Sequence, residues 1–281
     1  MKRSVFMGYA ALEYAVQLEG AFKADWTTLI RHRHKQPWPR PGGCHFYAAV
    51  PVARAGGAPA LITWIGDDAM GTLYRTCCGE EGIGVQGVIS IPGATPLCFL
   101  IYQPDGSCGC LFDFGMSGRV AITPEQERLI AAADLVCITV GPAAASMRAL
   151  ELIHPEATVA WITKNDPASF IPPLREMLAR RAQFIFCNAR ERAWVDEVTG
   201  ERPADQVIIQ TGGAEAVQVH RSGSVTHLAV NALRMHDTTG AGDTLAGGAL
   251  AAILHGETDI VRAVREGIDA AYELLSERRD A

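Results

Sequence analysis

No stretch of this 281-residue sequence approaches the roughly 18 consecutive apolar residues of a membrane-spanning helix. Low-complexity tracts, disordered linkers and internal repeats are absent too, so the chain is neither a tail nor a repeat array. Positive charge is not in excess. Lys and Arg number 25 against 31 Asp and Glu, a net charge of −6, which gives no electrostatic footprint for nucleic acid. The opening apolar run, Met1 to Val16, is broken by Glu13 and has no small-x-small cleavage site after it, so the expectation is a cytoplasmic protein without a leader. A disulfide or zinc framework is missing as well. The eight cysteines, at 44, 77, 78, 98, 108, 110, 137 and 187, are irregularly spaced, and a chain this long needs no staples. Reduced thiols are the expectation.

What is present is an alternation of short apolar runs and helical patterns, the signature of a βαβ series with a parallel sheet. Expected strands are 4–7, 60–65, 135–139, 158–162, 184–187, 207–210 and 216–220. Expected helices are 46–55, 70–81, 124–133, 144–153, 172–180, 189–198, 241–255 and 259–277. Thr123-Pro124-Glu-Gln126 carries a cap, a first-turn proline and first-turn acid and amide groups in order. Two regions break the rhythm. Residues 10–42 include the basic loop Arg31-His-Arg-His-Lys35 through Arg40, and residues 85–115 alternate like antiparallel strands about the turn Pro104-Asp-Gly106. Both are expected to form a small lid inserted in one α/β domain spanning 1–281, with an exposed face through which the chain forms a homodimer.

The densest chemical signal is "HDTTGAGDTLAGGAL", residues 236–250. A P-loop needs Gly-x4-Gly-Lys-Ser/Thr, and no lysine is present. A dinucleotide fingerprint needs a buried strand before its glycines; here the approach is polar. A nicotinamide oxidoreductase therefore rests on Gly240 and Gly242 alone. The third reading is a helix start built as an anion hole, with free N–H groups from 241 to 243. Asp243 at its rim is then either a general base or a carboxylate that merely caps the helix.

"DTTGAGD" resembles the C-terminal signature of the ribokinase-like (PfkB-type) sugar and nucleoside kinases. Other segments agree in order and spacing. Gly42-Gly43 with "CHFYAAVPVARAGG", then "ITWIGDDAMG", is similar to that family's N-terminal signature. Asn188-Ala-Arg-Glu191 resembles its Asn-x-x-Glu element, and "IIQTGGAEAVQV" its Thr-x-Gly nucleotide loop. The resemblance covers about residues 4–275. It implies a three-layer α/β/α, Rossmann-like fold with a β lid, and ATP-dependent transfer of a γ-phosphoryl group to a hydroxyl. By resemblance Asp243 is the base, and Gly240, Ala241 and Gly242 form the anion hole. Asn188 and Glu191 order Mg²⁺ through water, and Thr211 and Gly213 line the ATP site. Asp237 and Thr239 sit where family members often bind a monovalent cation such as K⁺.

The acceptor side departs from that pattern. Glu13 stands where the family usually has an aspartate, and Tyr47 where it usually has an asparagine after Gly42-Gly43. Those four residues are the expected substrate pocket, for a sugar or related polyol, or alternatively a nucleoside. A non-catalytic sensor on the same scaffold is the alternative from another class. The basic loop is either a recruiter of anionic substrates or a solvated loop; His32 and His34 lack a third metal ligand nearby. The chain also stops at "LLSERRDA", where relatives continue into a loop that walls the adenine.

Overall fold

A run such as Ser4-Val-Phe-Met7 has no polar face to offer water, so it is stable only where both faces are covered. In the computed structural model, which describes residues 2–33, 38–198, 202–233 and 235–280, this run lies in β1 (Arg3–Met7), an interior strand of a nine-stranded sheet. β1 pairs in parallel with β5 (Ala58–Gly66) on one side and β9 (Leu135–Ile138) on the other. Beyond β9 follow β10 (Thr158–Ile162), β11 (Phe184–Asn188) and β12 (Val207–Thr211), all parallel. The far edge is the antiparallel pair β13 (Ala216–Arg221) and β14 (Ser224–Ala229).

Side chains alternate across β1, and the core divides accordingly. Phe6 joins a cluster with Phe46 and Tyr47 of α1 (Cys44–Arg54), Tyr74 of α2 (Ala69–Glu80), Leu245 of α7 (Ala241–Leu254) and Val264 of α8 (Ile260–Asp280). Val5 and Met7 join the opposite cluster, with Ile130 of α3 (Pro124–Ala131), Ala149 of α4 (Ala143–Leu152), Leu178 of α5 (Pro172–Arg181) and Val195 of α6 (Ala189–Glu197). Helices thus cover both faces of a mostly parallel sheet, the three-layer architecture expected. The Thr123–Gln126 capping box at α3 forms as its residues imply.

A second, five-stranded sheet lies beside it. β2 (Ala11–Leu18) is its centre, flanked by β3 (Ile30–Arg33) and β4 (Arg40–Gly42) on one edge and by β7 (Leu97–Tyr102) on the other, with β8 (Cys108–Asp113) beyond. One expectation is corrected. Val88–Ile91 does not belong to this lid; it is β6, the edge strand of the large sheet, parallel to β5. Close backbone approach draws it in: the Gly84 N–H donates to the Pro59 carbonyl, and a Cβ on Gly87 would lie 2.2 Å from the Leu61 carbonyl oxygen. β14 was also not expected, because its exposed strand shows no buried alternation to read. His34 and Lys35 of the basic loop lie outside the described residues.

The small residues of α7 serve helix packing rather than packing on the sheet. A Cβ on Gly247 would meet the Ala48 carbonyl of α1 at 2.1 Å, and one on Gly248 would meet Gly267 and Ala270 of α8 at 2.9 Å. Such close approach fixes α8 along α7, and its last turn reaches Asp237 and Thr239, just before α7 begins.

Candidate active site

In open α/β sheets ligands bind beyond the carboxyl ends of the strands, where the order reverses. Here that point lies between β5, β1 and β9, and the residues at or just past the carboxyl ends of the parallel strands line one edge of the sheet: Gly8 and Tyr9 after β1, Thr139 after β9, Lys164 after β10, Asn188 ending β11, Thr211 ending β12. The start of α7 faces the same end. Gly240 is its N-cap in the left-handed region (φ 78°), and a Cβ there would lie 2.5 Å from the Tyr47 ring, so only glycine fits. Gly242 differs. Its ideal Cβ meets nothing within 4 Å, so the space over it is open to a ligand.

The run of free N–H groups expected from 241 to 243 is shortened by one. Ala241 donates to the Thr238 carbonyl at 3.2 Å, which leaves Gly242 and Asp243 without an acceptor among the described residues. Asp243 is buried (5 % exposed) in this first turn, where unpaired N–H dipoles favour negative charge. Its Oδ2 lies 3.9 Å from Nζ of Lys164, a half-exposed side chain. Asp243 comes first among the causes that raise the Lys164 ammonium, with Cys44 second, so Lys164 stays charged. Lys164 was missed by sequence reasoning. Its one signal was its place directly after an apolar strand in a parallel sheet. Cys44, buried beneath, has its thiol pushed up by burial first and by Asp243 next.

Asn188 and Glu191 form a capping box at α6. The Asn188 side chain accepts from the Arg190 and Glu191 N–H groups at 2.9 Å, and Glu191 Oε2 accepts from the Asn188 N–H at 3.0 Å and the Thr163 hydroxyl at 2.9 Å. The cap reading of these residues is therefore realised, and it orients the carboxylate. Glu191 Oε1 takes no hydrogen bond among the described residues. Thr211 ends β12, its hydroxyl 3.4 Å from the Cys187 carbonyl, and Gly213 (φ 65°) turns the chain into β13 with open space above it.

Under the lid the expected pocket residues meet one another. Glu13 shares a face of β2 with Ala11 and Ala15 and is buried (5 % exposed). Its Oε2 accepts from the Tyr47 hydroxyl at 2.6 Å and from Arg40 Nε at 2.9 Å. Gly42 is required by this contact, since a Cβ would overlap the Glu13 carboxylate at 2.2 Å; Gly43 (φ 98°) is the N-cap of α1. Arg40 then spans to Asp237, Nη1 to Oδ2 at 2.5 Å and Nη2 to Oδ1 at 3.3 Å. Tyr102 donates to Asp237 Oδ1 at 2.8 Å and lies 2.5 Å from the Thr239 hydroxyl. Arg278, from the last turn of α8, is 3.6 Å from Asp237 Oδ1, donates to the Thr239 carbonyl, and sits over the Tyr47 ring at 5.4 Å. Burial pushes the Asp237 carboxyl up, but the Arg40 hydrogen bond and charge, with the Arg278 charge, outweigh it and hold it well below the carboxylate range. Burial, then the Glu13 charge, raises the Tyr47 phenol, so it stays a neutral donor.

Arg40 was expected only as the end of the basic loop, and Tyr102 and Arg278 were not foreseen. Their partners lie 197, 135 and 39 residues away, and no local pattern marks them. His32 is exposed, and among the described residues no group of three or more His, Cys, Asp or Glu side chains is placed to hold a metal. All eight cysteines are free thiols, with Cys98 and Cys110 Sγ atoms 3.4 Å apart on the lid.

Comparison with known proteins adds a history to this geometry. The family model described as "pfkB family carbohydrate kinase" matches residues 21–278. An ATP-dependent ribose-1-phosphate kinase of Halopiger xanaduensis is 29 % identical, with all of both chains covered. A cytidine kinase of Thermococcus kodakarensis is 25 % identical over 85 % of this chain and 89 % of that one. Among solved structures, a nucleoside kinase of Methanocaldococcus jannaschii, an archaeal member of the ribokinase family, superposes with a TM-score of 0.80 at 18 % identity, covering 96 % of this chain and 90 % of the other. That likeness is one of fold.

Proposed function

The chain belongs to the pfkB family of carbohydrate kinases, and from that premise we infer how its site works. It is a phosphotransferase with an alcohol acceptor, and the acceptor is a sugar or nucleoside hydroxyl. Our reading is that the γ-phosphoryl group of ATP passes to a hydroxyl of a sugar or related small polyol, with Asp243 as the base. One observation carries it: a buried carboxylate in the first turn of α7, next to open space over Gly242 and two unspent N–H groups.

Asp243 accepts the hydroxyl proton as the oxygen attacks in line, while the Gly242 and Asp243 N–H dipoles and the Lys164 ammonium face the charge gathering on the phosphoryl oxygens. Asn188 and the unengaged oxygen of Glu191 suit Mg²⁺, a hard cation that keeps several waters and needs few carboxylates. When bound it neutralises phosphate charge. Thr211 and Gly213, in the turn after β12, border the nucleotide. Gly240 and Ala241 shape the hole more than they donate to it. Glu13, Gly42, Gly43 and Tyr47 act on the acceptor as a preset frame, their polar atoms already committed to one another.

Three finer points complete the reading. Tyr14, Phe99 and Leu111 are register neighbours on one lid face, with Phe99 41 % and Leu111 60 % exposed, which supports a homodimer through the lid. Free thiols and ATP use suit the cytoplasm; among the described residues no helix is long and apolar enough to cross a membrane. A monovalent cation at Asp237 and Thr239 competes with Arg278, as taken up below. A nucleoside acceptor is the second reading, favoured by the similarity to the cytidine kinase. ADP release measured over sugars, sugar phosphates, polyols and nucleosides tests both. A saturable response to one class identifies the acceptor; ligand binding with no turnover on any of them would leave the chain a sensor.

A further inference from the structure

Asp237 and Thr239 offer a carboxylate and a backbone carbonyl side by side, the donor set that a monovalent cation uses. Both are already engaged. Four donor atoms lie within 3.3 Å of the Asp237 oxygens, and Arg278 bridges from Asp237 to the Thr239 carbonyl. The set is closed electrically as well. Two carboxylates, Glu13 and Asp237, face two guanidiniums, Arg40 and Arg278, with the side chains of Glu13, Arg40 and Arg278 between 6 and 8 % exposed. Uncompensated charge in such a place is costly. An added K⁺ would bring a surplus positive charge and would have to dislodge Arg278 from Asp237, from the Thr239 carbonyl and from the face of Tyr47. These residues do not fit a monovalent ion.

We propose that Arg278 is a tethered cation: its guanidinium takes the place of a monovalent metal ion at Asp237 and the Thr239 carbonyl, making the enzyme indifferent to K⁺. Arg278 is a positioning residue. It touches no reacting group; it pins Thr239, and Thr239 leads into Gly240, whose left-handed turn aims the first N–H groups of α7. Because Arg278 stands on the last turn of α8, the C-terminal helix finishes the site at its own end. The catalytic half of this proposal rests on the kinase reading above, whereas the ion-binding half does not.

The test compares potassium, sodium and choline chlorides at equal ionic strength, with two readouts: the melting temperature of the whole chain and turnover on its acceptor. Wild type should melt at the same temperature and turn over at the same rate in all three. A rise specific to K⁺ in either readout overturns the proposal. Arg278→Met leaves the cluster one positive charge short, so it should lose turnover in choline, recover about fivefold or more in K⁺, and melt higher in K⁺ than in choline. A folded Arg278→Met that K⁺ neither reactivates nor stabilises also overturns it, since a purely structural side chain would not be replaced by an ion. Should that variant fail to fold, Arg278→Lys, which keeps the charge, must remain indifferent to K⁺. If the chain is inactive in every salt the kinase reading fails, while the melting comparison still decides the ion question.

Discussion

At the start of α7 the chemistry belongs to backbone N–H groups and one carboxylate within four residues, whereas under the lid it belongs to side chains drawn from β2, β4, α1, β7 and the end of α8. The first arrangement is local. Asp243 and its anion hole need only a left-handed glycine and a helix, and a short motif encodes both. The second is a charge-balanced cluster held by contacts across as many as 197 residues. Phosphoryl transfer asks for the same atoms whatever the acceptor, while acceptor choice asks for a shape. The two regions can therefore change independently.

The largest loss of activity is expected at Asp243. Asp243→Asn should lower turnover by about 10²- to 10⁴-fold while calorimetric binding of ATP persists. It should cost the fold only about 1 kcal/mol, the worth of one charge beside first-turn N–H dipoles and a half-exposed lysine. A variant turning over near the wild-type rate would remove the base from this account. Glu13→Gln should do the reverse. Deleting one partner of a buried ion pair leaves Arg40 and Arg278 facing Asp237 alone, at a cost of about 3–5 kcal/mol by urea denaturation. Unchanged stability would mean that the Glu13–Arg40–Tyr47 cluster does not form in solution.

The two glycines of the anion hole sharpen the contrast inside one turn. Gly240→Ala places a Cβ into the Tyr47 ring at a positive φ, and should cost about 2–4 kcal/mol of stability from backbone strain and overpacking together. Gly242→Ala meets nothing in the protein, so its stability should stay within about 0.5 kcal/mol of wild type. Its methyl group occupies the ligand's side instead, so the loss should appear in KM for ATP and in kcat. Equal stability losses in the two would mean that the open space over Gly242 is not there.

The sequence alone carried the layers, the parallel strands and the helix starts, because apolar runs and capping residues act within a few positions. The roles expected of Gly240 to Asp243, Asn188 and Glu191 came from the family resemblance; their local geometry is a left-handed helix start and a capping box. The resemblance placed Glu13 and Tyr47 on the acceptor side but did not show that each satisfies the other, since a glutamate's partner across the fold leaves no local trace. Val88–Ile91 was misplaced because a short apolar strand looks alike at the edge of either sheet; only the close approach at Gly84 and Gly87 decides it. Lys164 and Arg278 were invisible for a simpler reason. A lone basic residue at a strand or helix end is ordinary until the other elements are folded against it.

An effect that grows only as pH falls concerns His45, at the seam between the two regions. It is the second residue of α1, fully buried, with Nε2 3.3 Å from the Tyr74 hydroxyl and Nδ1 without a partner among the described residues, close against Gly8 and Gly43. Burial alone lowers its pKa from 6.5 to about 3, so the folded chain holds it neutral. The sign follows from the protons bound. Below pH 6.5 the unfolded chain binds a proton there and the folded chain does not until about pH 3, so its contribution to stability is complete above pH 6.5 and is lost as pH falls through that window. The slope should be at most about 1.4 kcal/mol per pH unit, roughly 2 kcal/mol by pH 5. His45→Gln, which keeps a group to face Tyr74 but cannot titrate, should flatten urea midpoints between pH 7 and pH 5. Identical slopes in the variant and the wild type would mean that protons reach His45 in the folded chain, and that the seam beneath the lid opens more readily than its packing implies.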